Sequence, residues 1–224
     1  MAETARDELA PDTRLRITEI FYSLQGEADT AGVPTAFVRL TGCPLRCQYC
    51  DTAYAFHGGR WMAFDAILEQ VGKYGCRHVC VTGGEPLAQK NCAGLLRDLC
   101  ANGYRVSLET SGAADLSVVD ARVIKVMDLK TPGSGEVERN LWQNLDLLSK
   151  DDQIKFVICG RADFEWAAEQ VRQRQLDGIC TVWFSPSYEQ IEPVDLADWI
   201  LQEGLPVRLQ LQLHKYLWGT DPGH

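Results

Sequence analysis

The chain has 224 residues, enough for one domain with a sizeable core, and its 46% hydrophobic and 24% charged content is that of a soluble globular protein. A formal net charge of −9 argues against a sequence-independent nucleic-acid binder, which needs a basic face. No apolar run reaches the roughly 18–20 residues that span a bilayer, so no membrane partner is expected.

Residues 1–13 are polar and acidic, lack an apolar signal core and read as a flexible tail ahead of a single domain at 14–224. The expected location is the cytoplasm, where nine cysteines stay reduced and favour metal or redox use over disulfides.

Apolar runs at 17–22 and 36–40 predict the first strands. Directly after the second comes Cys43-Pro-Leu-Arg-Cys47-Gln-Tyr-Cys50, three thiols spaced C-x3-C-x2-C. A helix face is carried by Phe64, Ile67, Leu68 and Val71, and a strand at 79–81 runs into Gly83-Gly-Glu-Pro86. Cys92, Leu95, Leu96 and Leu99 form the next helix face, and a strand at 104–108 runs into Glu109-Thr-Ser-Gly112. The strand at 123–127 ends at Asp128-Leu-Lys130 and is followed by the irregular loop Thr131-Pro-Gly-Ser-Gly135. Leu141, Leu145 and Leu148 predict a further helix.

The remainder repeats the pattern. A strand at 154–158 precedes the helix face of Phe164, Ala167 and Val171. A strand at 180–184 runs into Ser185-Pro186 and is followed by the face of Leu196, Trp199 and Ile200. The strand at 207–211 is followed by His214. Alternating strands and helices predict an α/β fold with a mostly parallel sheet and helices outside it. In such folds chemistry gathers at the carboxyl ends of the strands, where these polar and glycine clusters fall.

The three thiols suit a [4Fe–4S] cluster, which takes four ligands, so one iron is left open for a small molecule. A zinc site would need a fourth ligand such as His57, and a ferredoxin would need a fourth cysteine nearby. Cys76, Cys80, Cys92, Cys100, Cys159 and Cys180 fall mostly on apolar faces and read as packed free thiols. In Gly83-Gly-Glu-Pro86 the glycines let backbone approach a ligand, or else Pro86 simply starts a helix.

Taken together, the cysteine triplet, Tyr49 beside its last member, and Gly83-Gly-Glu-Pro86 resemble the radical S-adenosyl-L-methionine (SAM) enzymes. That resemblance implies a reduced, incomplete (β/α) TIM-like barrel. It also implies that the open iron chelates SAM and that a reduced cluster cleaves SAM to a 5′-deoxyadenosyl radical, the species that abstracts hydrogen. The segments Phe21-Tyr-Ser-Leu-Gln-Gly-Glu27, Val38-Arg-Leu-Thr-Gly-Cys43, Cys50-Asp-Thr52 and Leu213-His-Lys-Tyr216 are similar, more narrowly, to the 7-carboxy-7-deazaguanine synthases, from about Ile17 to Trp218. This narrower likeness implies a Mg²⁺-dependent carbon–nitrogen lyase of queuosine biosynthesis, a tRNA-modification pathway. The reaction implied is 6-carboxy-5,6,7,8-tetrahydropterin to 7-carboxy-7-deazaguanine with loss of ammonia. A homodimer is implied as well; the electron donor is left open, with flavodoxin or ferredoxin the ordinary candidates.

The same resemblance distributes the site residues. Cys43, Cys47 and Cys50 hold the cluster, and Thr52 ligates Mg²⁺ with help from the substrate carboxylate, although Thr52 also suits a turn cap. Substrate contacts fall to Leu24, Gln25, Gly26, Glu27, Arg39, Thr82 and His214. Gln25 can donate and accept along a pterin edge, and Glu27 can accept from ring N–H groups. Arg39 suits a two-point contact with a carboxylate, or a surface ion pair. SAM contacts fall to Tyr49, Cys50, Asp51, Gly84, Glu85, Ser111, Lys130, Ser185, Pro186, Ser187 and Tyr188. One departure is Ala28, where the pattern has glycine.

Overall fold

The computed structural model describes residues 13–219 and 223, so the expected tail, apart from Thr13, lies outside the described residues. In chain order the elements are β1 (Arg14–Leu24), β2 (Pro34–Leu40), β3 (Arg60–Ala63), α1 (Phe64–Gly72), β4 (His78–Gly83), α2 (Cys92–Ala101), β5 (Arg105–Thr110), β6 (Ile124–Asp128), β7 (Gln153–Ile158), α3 (Arg161–Arg174), α4 (Leu176–Ile179), β8 (Thr181–Pro186), α5 (Pro193–Glu203), β9 (Arg208–Leu209) and α6 (Leu213–Trp218). They build one nine-stranded sheet in the order β3-β1-β2-β4-β5-β6-β7-β8-β9. From β2 to β9 every neighbouring pair is parallel, whereas β1 runs antiparallel to both β2 and β3. The sheet does not close on itself, in keeping with an incomplete barrel.

Strand periodicity separates the two faces of this sheet. Ala36, Val38 and Leu40 of β2, Val79 and Val81 of β4, and Val106 and Leu108 of β5 join Ile67, Val71, Leu95 and Leu99 in one apolar cluster under α1 and α2. Ile154, Phe156 and Ile158 of β7 and Val182 and Phe184 of β8 join Phe164, Val171, Leu196 and Ile200 in a second cluster under α3 and α5. The intervening residues point the other way and line a cavity: Phe37 and Arg39, Cys80 and Thr82, Glu109, Lys155 and Val157, and Ser185. The outer face is therefore the core, and the inner face is polar.

Two expectations need correction, and one strand was not expected. The helix expected through Leu141, Leu145 and Leu148 is only a 3-10 turn at Trp142–Leu147. Asn144 there spends its side chain on neighbouring loops, donating to the carbonyls of Gly112 and Ala114 and accepting from Leu116 N–H. The last strand shrinks from 207–211 to Arg208–Leu209, because the chain then leaves the sheet edge to cross the cavity mouth. The sheet is also extended by β3, whose four residues, Arg-Trp-Met-Ala, give no apolar alternation to read.

Candidate active site

One cavity of about 250 Å³ occupies the carboxyl ends of the strands. Its wall contains Cys43, Cys47, Cys50 and Thr52, and the expected substrate residues Leu24, Gln25, Gly26, Glu27, Arg39, Thr82 and His214. It also contains Tyr49, Asp51, Gly84, Ser111, Lys130 and the run from Ser185 to Tyr188. Of the residues expected at the site, Glu85 is the exception. Its carboxylate is buried and accepts from Leu87 N–H, from Thr110 Oγ1, and from both the N–H and the hydroxyl of Ser111. Glu85 ties the end of β4 to the end of β5, and its side chain does not face the cavity.

The cysteine loop is held by its neighbours. A Cβ on Gly83 would lie 2.4 Å from Leu40 O, and one on Gly84 would lie 2.3 Å from Gly42 O and 2.6 Å from Cys43 Cβ. Both glycines are thus required by contact with the chain entering the triplet, and this, not only ligand approach, accounts for the motif. On the other side Gln48 N–H donates to Ser134 O at 3.0 Å. That loop is anchored by Asp163, which accepts from Gly133 N–H, Thr131 Oγ1 and Cys159 N–H. Arg46 donates to the carbonyls of Cys43 and Leu45 and lies over the Phe56 ring.

The loop after β1 crosses the open side of the barrel. Asp29 and Gln153 exchange two hydrogen bonds, and Ala28 N–H donates to Gln210 Oε1 at 2.6 Å. Leu213 N–H donates to Gly26 O, and a Cβ on Gly26 would lie 2.1 Å from His214 Nδ1, so glycine is needed for α6 to dock. Gln25 does not have the free acceptor expected of it: its Oε1 receives Gly26 N–H and Glu27 N–H, leaving the amide N–H₂ as the available group.

Charge in the cavity centres on Lys155, whose ammonium lies 2.7 Å from Glu27, 3.7 Å from Glu109 and 3.9 Å from Asp128. Asp128 also pairs with Lys130 at 2.9 Å. Burial opposes the ionisation of Glu27, but Lys155 and hydrogen bonds from Lys155 and Gln212 outweigh it and hold the carboxyl at about 2. Burial pushes the Glu109 carboxyl up to about 7; Lys155 offsets this only in part, and the charges of Glu27 and Asp128 add to it. Burial lowers the His214 pKa, so the ring favours its neutral form. Sequence reading placed Glu109 and Asp128 on the rim without a role and missed Lys155 and Lys215. Lys155 sits between apolar neighbours in Ile-Lys-Phe-Val, which was the available signal, since a charge in a buried strand needs partners.

The donor set fits the groups that the resemblance implies. The three thiols come from one loop and share the cavity with two buried polar atoms that lack a protein partner, Tyr49 Oη and Asp128 Oδ1, as a wall awaiting a polar ligand does. Among the described residues no three His, Cys, Asp or Glu side chains converge on a single-ion position. His57, the fourth ligand a zinc site would need, is not in the wall. Thr52 heads the 3-10 turn Ala53–Phe56 without capping it, and its hydroxyl instead donates to Asp51 Oδ1 at 2.9 Å. Among the described residues no helix is long and apolar enough to cross a membrane.

Comparison with known proteins agrees with this geometry. Residues 37–131, from β2 through the loop after β6, match the model of the radical SAM superfamily. The 7-carboxy-7-deazaguanine synthase of Chlorobaculum tepidum is 44% identical over 95% of this chain and 98% of its own. That of Koribacter versatilis is 44% identical over 92% of this chain and 98% of its own. The crystal structure of QueE from Escherichia coli superposes with a TM-score of 0.72 at 26% identity, covering 90% of this chain and 95% of that one. Membership of the radical SAM superfamily brings a [4Fe–4S] cluster, SAM, a small-molecule substrate and a reductant. On full-length identity, and with the cysteine loop and the charged barrel interior in one cavity, the chain belongs to the 7-carboxy-7-deazaguanine synthase family of radical SAM enzymes.

Proposed function

We propose that this chain converts 6-carboxy-5,6,7,8-tetrahydropterin to 7-carboxy-7-deazaguanine with loss of ammonia. The observation that carries the reading is the sharing of one cavity by the cysteine loop, the Arg39 guanidinium and the Glu27 carboxylate. The substrate has one anionic group and an edge of ring N–H donors, and Arg39 and Glu27 are the matching charges.

Arg39 receives the carboxylate, and Glu27, held ionised by Lys155, accepts from the ring edge. The amide N–H₂ of Gln25, which also reaches the Cys80 thiol, donates to a ring acceptor, and neutral His214 and Thr82 complete the polar contacts. Leu24 and Gly26 form the surface on which the ring lies. Cys43, Cys47 and Cys50 hold the cluster. Tyr49, Asp51, Gly84, Ser111, Lys130 and the run from Ser185 to Tyr188 surround SAM. When bound, cluster and SAM supply a carbon radical that takes hydrogen from the substrate. The remaining residues orient the ring and exclude water.

Thr52 gives Mg²⁺ one neutral oxygen, because its proton is committed to Asp51 and its lone pairs are not. A hard cation that prefers six oxygen ligands must draw the rest from the substrate carboxylate and water, so metal binding depends on substrate. The active form is a homodimer, which rests on the family likeness, and a flavodoxin or ferredoxin is the ordinary candidate for the reductant.

The test is an anaerobic assay of reconstituted protein with dithionite, SAM and the tetrahydropterin, with and without Mg²⁺. Deazapurine and ammonia in equal amounts are expected, and Mg²⁺ should raise the rate. SAM cleavage with no deazapurine would overturn the substrate assignment.

A further inference from the structure

Arg39 does not reach into the cavity alone. It stands opposite Glu19 across the antiparallel β1–β2 pair, and its Nε donates to Glu19 Oε1 at 2.7 Å. The hydroxyl of Tyr54 donates to the same Glu19 oxygen at 2.8 Å. The guanidinium carbon lies over two aromatic rings, 5.6 Å from the centre of Phe21 and 5.9 Å from that of Tyr54. Phe21 is in turn stacked on Phe37 at 4.8 Å.

The backbone contains a device that makes this arrangement possible. The β1–β2 register shifts between Ile17 and Glu19. Ile17 faces Leu40, and both belong to the outer apolar cluster. Without the extra residue, Thr18 would fall opposite Arg39 and Glu19 opposite Val38, on the outer face. The bulge turns Glu19 to the side of Arg39, as bulges beside active sites re-aim a side chain. A carboxylate delivered there by a break in the ladder has one evident task, to grip the Nε corner of the guanidinium. With Nε engaged, the two terminal nitrogens are left for a planar, two-point contact with a ligand in the cavity that Arg39 lines.

We propose that Glu19 and Tyr54 are positioning residues that fix the Arg39 guanidinium edge-on to the cavity and so set the preference for a ring carrying a carboxylate. The inference rests on the reading of Arg39 as the carboxylate clamp. Glu19 Oε1 orients the Nε edge, Tyr54 holds Glu19, and the rings of Tyr54 and Phe21 both pack against the guanidinium. Among the described residues Glu19 is the only carboxylate paired with Arg39. Its proximity lowers the net attraction for an anion, so its benefit lies in geometry. Glu19 then controls affinity for the carboxylated ring selectively and leaves affinity for an unsubstituted ring alone.

The test uses anaerobically reconstituted enzyme and two fluorescent probes, 6-carboxypterin and unsubstituted pterin, in equilibrium titrations. Wild type should prefer the carboxylated ring by roughly tenfold or more, the worth of one charge-assisted two-point contact. Arg39→Ala should abolish that preference. Glu19→Ala and Tyr54→Phe should cut it by about three- to tenfold while leaving affinity for pterin unchanged. Glu19→Gln, which keeps an acceptor for Nε, should retain more of the preference than Glu19→Ala. Cluster absorbance and melting temperature serve as controls for folding. A preference kept by Glu19→Ala and Tyr54→Phe but lost by Arg39→Ala would overturn the inference and leave the clamp standing. A preference kept by Arg39→Ala would overturn the clamp itself. Equal weakening of both probes in the Glu19 and Tyr54 variants would show a merely structural role and overturn the inference as well.

Discussion

Lys215, in the C-terminal helix α6, lies 2.7 Å from Asp51, one residue after the last cysteine of the triplet. The ammonium also stands 4.8 Å from the centre of the Tyr188 ring. The far end of the chain thus controls the residue that receives the Thr52 proton. Burial opposes ionisation of Asp51, but the Lys215 charge and hydrogen bonds from Lys215 and Thr52 prevail and hold it at about 2. Lys215→Met removes the charge and frees Asp51 to turn, so the Thr52 hydroxyl loses its fixed direction. Outer-shell losses of this kind lower activity or metal affinity by about 10–100-fold. A Mg²⁺ titration of product formation should show half-activation moved to higher concentration. An unchanged midpoint would separate Lys215 from the metal.

Much of this site could be read in the sequence because it sits where strands end. Cys43, Gly84, Ser111, Lys130 and Ser185 each follow an apolar run, and parallel topology then places all of them on one rim. The apolar runs around Val79 and Val81 or Ile154 and Phe156 mark strands, but which of their residues face outward emerges only from the packing. Glu19 and Lys215 were not legible, for two different physical reasons. The role of Glu19 depends on a bulge, a register event set by pairing with β2 and not by local residues. Lys215 depends on the crossing of the 210–214 segment over the loop after β1, a contact that hydrogen bonds from Gln210 and Gln212 to Glu27 secure across most of the chain length. Glu85 misled for a related reason: its position in the motif implied a ligand contact, whereas its four donors are protein groups.

Gly84 gives a direct test of how the cysteine loop is held. In Gly84→Ala the added methyl meets Gly42 O and Cys43 Cβ, both backbone-fixed, so the loop itself must shift. Overpacking of this sort costs about 1–3 kcal/mol, and here the strain falls on the first cluster ligand. Iron and sulfide content after reconstitution should drop while far-UV circular dichroism stays at the wild-type value. Full iron loading in the variant would mean that the loop adapts without penalty.

Glu109 predicts a pH dependence with a definite sign. Its carboxyl is raised from 4.5 to about 7 in the folded chain. Between those values the native state keeps a proton that the unfolded chain has released, so this group's contribution to stability is present below pH 4.5 and is lost as pH rises towards 7. Glu27 acts oppositely: lowered from 4.5 to about 2, it stabilises above 4.5 and loses that contribution as pH falls towards 2. Glu109→Gln removes the first effect and leaves the second. Urea melts between pH 5 and 7.5 should show the variant's midpoint declining less with pH than that of wild type. Parallel curves would place the Glu109 proton elsewhere.

Ala28 stands where the resemblance implies glycine, and the backbone there suits that residue. Its φ is +61° and the side chain is 5% exposed, so a methyl group sits in the left-handed region inside the crossing loop. The conformation is imposed from both ends. Ala28 N–H is bound by Gln210 Oε1, and the next residue, Asp29, is bound twice by Gln153. A non-glycine residue held there is disfavoured by about 1–2 kcal/mol. Glycine relieves that strain but adds freedom to the unfolded chain, an opposing effect of about 0.4–1 kcal/mol. Ala28→Gly should therefore raise stability by about 0.5–1 kcal/mol, read as a higher urea midpoint at unchanged slope. Gly26 and Glu27 are neighbours of the relieved bond, so the variant should bind pterin at least as tightly as wild type. A lower midpoint would mean that the Ala28 methyl contributes more by packing than the positive φ takes away.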